Sequence, residues 1–433
     1  MREKTVVMNV DYFDEVCIRE KPFGPKDVDE LVRRCAESGI DTLFWRAIGL
    51  GVAGYPSRLL QAPESLADSD VNLLLPRMAS EQRDESESAA IKSDKNFVLE
   101  VKKRSAYQQG IGRWGKRIAA SLQQMDPLAE ARDACKRYGL EFFIWHDFLD
   151  ERHNLSLNQH PEWLVTGRDG TTRFPGLRSY AIEEAVRDQL CVIKELLAYN
   201  PDGIYLCTSC HNRHLDFPEP DDFFGFEEPV VAACYKEMGV DIRTESFDQD
   251  RWHEIKGNFY TDFFRRVKEL AKPAKAKLAI GTQLGTQTIL TTPFFSTHVP
   301  YRFTTQWKTW IDEKIADILI LGDYEWPWDN VPIWEAKGMS WPKSTFPADV
   351  EWKPYVEYAK GRAELYWFSS WLSAYAAQHE GASAGSLAEA MQMRAHTLAS
   401  TPVQGICLHE AMTFEQESDG FETIAKMRDA INR

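Results

Sequence analysis

No stretch of the 433-residue chain approaches the roughly 18 uncharged apolar residues of a membrane-spanning helix. Nor does the N-terminus read as a signal peptide. Met1-Arg-Glu-Lys4 leads straight into a short apolar run, with no small-residue cleavage site behind it. The chain is therefore expected to be cytoplasmic, or exported after loss of a leader, with no membrane partner. Positive charge is scarce: 51 Lys and Arg stand against 66 Asp and Glu, a net charge of −15. That balance excludes a general binder of nucleic acid. Cysteines number only eight and are scattered, and Cys35, Cys135, Cys191 and Cys407 fall inside apolar patterns. This is how buried thiols in a reducing compartment look, and it gives no disulfide framework. No G-x-G-x-x-G follows the first strand pattern and no H-E-x-x-H occurs, so a dinucleotide fold and a zinc-protease helix lose their main support.

What is present is apolar and aromatic. Hydrophobic residues make up 43%, enough for a large core, and 14 Trp, 15 Tyr and 23 Phe supply flat faces. Short β-forming runs alternate with longer segments of helical spacing. The strands are expected over 5–11, 41–46, 140–146, 204–207, 277–282, 317–321, 364–370 and 403–409. The helices are expected over 26–38, 128–138, 180–199, 254–271, 306–314, 356–362, 386–400 and 421–432. Punctuation supports the first two helices: Pro25 and Asp126-Pro127 open them, and Gly39 and Gly139 close them. Strand-helix alternation demands parallel strands with right-handed crossovers, and eight units point to a closed α/β architecture, a (β/α)₈ TIM barrel. The whole chain, 1–433, reads as one such domain. Its helix-to-strand turns are short and its strand-to-helix segments long, the longest being an insertion over about 47–125. That asymmetry suits a barrel whose strand-to-helix loops build the active face.

Three motifs carry a family resemblance: His160-Pro-Glu-Trp163 followed by Asp169-Gly170, a helix running into Asp202-Gly-Ile-Tyr-Leu206, and Gln306-Trp-Lys-Thr-Trp310-Ile-Asp ahead of Ala316-Asp-Ile-Leu-Ile-Leu321. In their order and spacing they resemble the glycosyl-hydrolase-like bacterial barrel proteins related to family-10-like glycosyl hydrolases, over roughly residues 5–430. The resemblance implies a carbohydrate-processing barrel with its site at the C-terminal ends of the strands. One departure matters: relatives often carry an acid just after the Asp-Gly-Ile strand, and Cys207 stands there.

Glycoside hydrolysis needs two carboxyl groups flanking the bond, one kept protonated by its surroundings. The commonest barrel layout puts Glu at the ends of strands four and seven, but those ends read Cys207-Thr-Ser-Cys210-His211 and Ser369-Ser-Trp371. The preferred pair is therefore Asp147 with Asp323, Glu325 or Glu410. Asp11 is a further candidate, or else a buried acid paired with Arg46. His146, His211 and His409 fall at strand ends, and His146 is the candidate for acid-base work, with His211 and His409 placed on substrate. Arg46, Arg178 and Arg213 either clamp an acidic sugar or bridge acids within the barrel. Trp45, Trp326, Trp328 and Trp371 are candidate sugar platforms, and Gln283 is a candidate polar contact at the end of the fifth strand. Cys207-Thr-Ser-Cys210-His211 also matches a c-type haem attachment pattern and, with His214, a zinc-like cluster; the simpler expectation is that Cys207 packs near the barrel top. No cofactor and no resident metal are expected.

The leading expectation is a glycoside hydrolase acting on an oligo- or polysaccharide, acidic sugars included. The alternatives are a metal-dependent hydrolase or lyase using His146, His211 and His409, and a non-catalytic carbohydrate-binding barrel. A homo-oligomer is compatible with all three.

Overall fold

The computed structural model describes residues 4–19, 21–63, 112–208, 221–283, 287–290, 301–322, 349–369 and 387–432. Eight parallel strands form a closed barrel in chain order: β1 Thr5–Val10, β2 Thr42–Gly49, β3 Glu141–Asp147, β4 Gly203–Cys207, β5 Lys277–Thr282, β6 Ile318–Leu321, β7 Glu364–Ser369 and β8 Gly405–His409. β1 closes the ring by pairing with β2 on one side and β8 on the other. The helices between them are α1 Pro25–Glu37, α2 Pro127–Tyr138, α3 Glu183–Leu197, α4 Gln249–Ala271, α5 Trp307–Asp312, α6 Asp349–Ala359 and α7 Leu387–Ser400, with α8 Gly420–Ile431 closing the chain. The expected α/β barrel is the fold observed.

The punctuation acts as its chemistry dictates. The Asp126 carboxylate accepts from the backbone N–H groups of Leu128 and Ala129, and Gly139 ends α2 in the left-handed region at φ 76°. Boundaries move where local signals were weak. α4 starts at Gln249, capped by Asp248, and α6 at Asp349, both ahead of expectation. β3 runs on through Asp147.

Successive strand residues point alternately into and out of the barrel. Val7, Phe44, Phe143, Trp145, Tyr205, Cys207, Tyr366, Phe368 and Cys407 fill the interior, while Val6, Met8, Val10, Leu43, Trp45, Phe142 and Ile144 pack outward against the helices. Cys207 thus packs inside the barrel top. Cys35, Cys135 and Cys407 are buried as expected, but Cys191 lies exposed on α3. Past β2, Gly49-Leu-Gly-Val-Ala-Gly54 has dinucleotide-loop spacing, yet it opens no helix. It turns Val52–Ala53 back antiparallel onto β2. The charged stretch at 80–95 lies outside the described residues. Among the described residues no helix is long and apolar enough to cross a membrane.

Candidate active site

The alternation that fills the barrel also decides what reaches its C-terminal mouth. On β2, Phe44 points inward, so Arg46 does too. On β3, Phe143 and Trp145 point inward, so Asp147 follows. A register shift in β2 between Arg46 and Ile48 keeps Arg46 level with Trp145. β1 ends one residue short of Asp11, which caps a short helix, Tyr12–Ile18, by accepting from the Phe13 N–H at 3.0 Å.

Arg46 ties these ends together. Its guanidinium donates to Asp11 Oδ2 at 2.5 Å and to Asp147 Oδ2 at 3.2 Å, and lies 5.1 Å from the Trp145 ring centroid. All of these groups are buried. An arginine keeps its charge at any working pH, so it is a fixed cation holding two carboxylates in place. Arg46 therefore bridges acids rather than waiting for a sugar carboxylate, and Asp11 is its partner.

Glu410 enters the same space from the end of β8. It is 8% exposed, and its Oε2 has no hydrogen-bond partner among the described residues. His409 Nε2 lies 3.9 Å from Glu410 Oε2. Burial holds the Glu410 carboxyl well above the usual carboxylate range; Asp14, Asp11 and Glu15 push the same way, and Arg46 opposes them. Ligand oxygens of Asp11, Asp14 and Glu410 all lie within 4.8 Å of one another. Glu410 thus holds its proton more tightly than an ordinary glutamate, beside Asp14 and the Asp11 that Arg46 has fixed. His409 points inward, with its ring 6.0 Å from Trp145 and 5.6 Å from Phe368, centroid to centroid.

Two expected site residues lie elsewhere. His146 follows an inward tryptophan and precedes an inward aspartate, so it faces out. It is buried against α3, where its Nε2 meets the Gln189 side chain, and burial, reinforced by Arg178 and Arg46, brings its pKa down to about 3. Trp45 likewise faces outward and packs 6.1 Å from the Tyr12 ring, as core rather than a sugar platform. His146 therefore does not join His409 on the inner face, and His211 lies outside the described residues. Gln283 is half-buried just past β5, its carbonyl accepting from Tyr355 Oη at 3.4 Å. His211, Arg213, Asp323, Glu325, Trp326 and Trp371 lie outside the described residues, as do Cys210, His214 and Trp328.

Arg178 is a structural clamp. It grips Glu151 through Nε at 2.7 Å and a second nitrogen at 2.9 Å, donates to the Ala185 carbonyl at 2.8 Å, and meets Asp188 at 2.9 Å. The loop that carries Glu151 is buried from Asp150 through Asn154. It fits because two glycines make room. A Cβ on Gly176 would stand 2.4 Å from Arg152 Cα, and one on Gly51 2.8 Å from the Asn154 nitrogen; both have positive φ. Sequence reasoning missed Trp145 and Asn9 on the inner face, although each lies two residues from a candidate that was found, which is the strand period.

No family model and no curated protein matches the chain, so the family-10-like resemblance gains no support from sequence. Solved structures do resemble it in fold. One is the glycoside hydrolase domain of PgaB from Bordetella bronchiseptica, with a TM-score of 0.55 at 13% identity, covering 99% of each chain. Another is a beta-galactosidase from Marinomonas ef1, with a TM-score of 0.53 at 9% identity, covering 98% of this chain and 59% of that one. The likeness is one of fold.

Proposed function

We propose that the chain is a glycoside hydrolase whose catalytic pair is Glu410 and Asp147, working at the C-terminal mouth of the barrel on an oligo- or polysaccharide. The observation that carries this reading is that one arginine, Arg46, is ion-paired to Asp147 and also acts on Glu410, a buried carboxyl grouped with Asp11 and Asp14 whose burial raises its hold on its proton. Pairs whose surroundings favour opposite protonation states mark acid and base roles. Glu410 donates its proton to the leaving glycosidic oxygen, and Asp147 either attacks the anomeric carbon or activates water. Asp11 positions Arg46, since its two oxygens already accept from Phe13 and Arg46. Trp145 and His409 form the inner wall. The fold likeness to glycoside-hydrolase barrels supports the class of reaction, and the site itself supports the residue roles. Arg46 and Arg178 are both held by acids, so neither supports an acidic-sugar specificity.

A second reading rests on the grouping of Asp11, Asp14 and Glu410, in which the three carboxylates hold a divalent cation for a metal-dependent hydrolysis. The prior engagement of both Asp11 oxygens counts against it.

The test is turnover of a panel of aryl glycosides and oligosaccharides by wild type and Asp147→Asn, each with and without EDTA. A chelator-insensitive activity lost in the variant supports the Glu410–Asp147 pair. A chelator-sensitive activity moves the function to the three-acid grouping. Glycan binding without turnover by wild type leaves a binding barrel and overturns the hydrolase.

A further inference from the structure

Asn9 lies on β1 among apolar neighbours, fully buried. Val7 belongs to the barrel interior, and Val6, Met8 and Val10 to the outer core, so the alternation turns Asn9 inward, two residues below Asp11. The register sets it opposite Phe44 on β2 and His409 on β8. Both of those side chains also face the interior: Phe44 lies in the inner cluster, and His409 packs on Trp145 and Phe368. Asn9 is therefore the strand neighbour of the histidine whose Nε2 lies 3.9 Å from Glu410 Oε2.

Neither the amide nitrogen nor the amide oxygen of Asn9 has a hydrogen-bond partner among the described residues. A buried carboxamide without partners is costly, and almost every buried polar group in a folded protein is bonded to protein or to ordered water. A leucine, with the same number and branching of side-chain heavy atoms though bulkier methyl groups, would occupy the position without that cost. Buried waters serve such groups, making about three hydrogen bonds each. We propose that Asn9 anchors one buried water that links its carboxamide to the His409 imidazole. Asn9 is then a positioning residue: it acts through His409, fixing the ring's tautomer and its orientation toward Glu410. This rests on the hydrolase reading for its consequence in catalysis, but not for the link between Asn9 and His409.

The experiment compares Asn9→Leu and Asn9→Ser with wild type by three readouts. These are the NMR titration of the His409 imidazole, steady-state kinetics with the pH profile of kcat/KM, and Tm. The expected result for Asn9→Leu is a shifted His409 titration and a roughly tenfold lower kcat with KM within about twofold, at a Tm equal to or above wild type. Asn9→Ser, which keeps a polar group for the water, recovers at least half of the lost kcat and the wild-type titration. A higher Tm in Asn9→Leu with kcat and the His409 titration unmoved overturns the inference and leaves Asn9 a tolerated buried amide. If wild type turns over no glycoside, the hydrolase reading falls, and the His409 titration alone still decides the role of Asn9.

Discussion

Two arginines of this barrel each hold two carboxylates, and they do different things. Arg178 is fully buried and its donors are spent on Glu151, Asp188 and a backbone carbonyl. Its acids are matched, and the result is a clamp on the loop after β3. Arg46 is also buried and also spans two acids, Asp11 and Asp147. Next to it, however, stands a third acid, Glu410, with an oxygen that nothing among the described residues satisfies. A closed set of charges stabilises structure. A set with one acid too many raises that acid's hold on its proton, which is the condition the proposed general acid requires.

The sharpest way to break this contrast is Glu410→Gln. The loss of a general acid removes about 10²–10⁴-fold in rate, so kcat/KM for unactivated glycosides is expected to fall by at least 10². Stability is expected to move the other way. The folded chain holds the Glu410 proton more tightly than the unfolded chain does, so wild type loses stability as pH rises above the ordinary glutamate value. Glutamine lacks that slope. The variant's Tm should equal wild type near pH 4 and exceed it at pH 8. A Tm deficit at pH 8 would mean that Glu410 is ionised and paired, and the contrast between the two arginines would disappear.

Arg178→Met tests the other side. It leaves Glu151 buried and unpaired, and breaking such a pair costs about 3–5 kcal/mol. Chemical denaturation should show that loss, while activity per folded molecule stays within about threefold of wild type. Adding Glu151→Gln to Arg178→Met should restore part of the stability. A loss of activity without a loss of stability would place Arg178 in the site.

Arg46→Lys is expected to act between these two. A single ammonium cannot span Asp11 and Asp147 as the guanidinium fork does. The outcome should be about a tenfold fall in kcat, near 1.4 kcal/mol, with a smaller change in stability. Steady-state kinetics and thermal unfolding on the same sample separate the two effects. Equal activity in Arg46→Lys would show that charge alone, without the fork, is what the acids require.

The barrel was legible because its signals are local. Apolar runs of strand length, helices bounded by Pro25, Gly39, Asp126 and Gly139, and short helix-to-strand turns do not depend on distant residues. The pairing of Arg46 with acids was legible for a similar reason, since a buried arginine needs counter-charges. What was hidden was direction. Strands of a closed parallel barrel are buried on both faces and read as continuous apolar runs, so β3, Glu-Phe-Phe-Ile-Trp-His-Asp, shows no polar alternation to mark its inner face. Ending that strand at His146 rather than Asp147 left its two last side chains unsorted, and with period two they must face opposite ways. Trp45 and Arg46 on β2 separated in the same manner. The loop contents after β3, with Glu151 reaching Arg178 across 27 residues, depend on tertiary contacts that no local pattern announces.

His146 offers the smallest effect and the cleanest check of that direction. Its neighbour Asp147 is proposed to be catalytic, while His146 is packed on Gln189 outside the barrel wall and kept neutral by burial, with its pKa near 3. An unfolded histidine titrates at about 6.5. As pH falls toward and below that value, the unfolded chain binds a proton that the folded chain refuses, so wild type loses stability, by about 2 kcal/mol between pH 7.5 and 5. His146→Gln has no such proton to bind. At pH 7.5 it should be less stable than wild type, because a shaped buried contact is lost, and the gap should narrow by about that amount at pH 5. Its kcat and KM should stay within about twofold, since the side chain lies behind the strand that carries Asp147. A hundredfold loss of kcat in a folded His146→Gln protein would instead turn the end of β3 around, bringing His146 into the mouth and removing Asp147 from the pair.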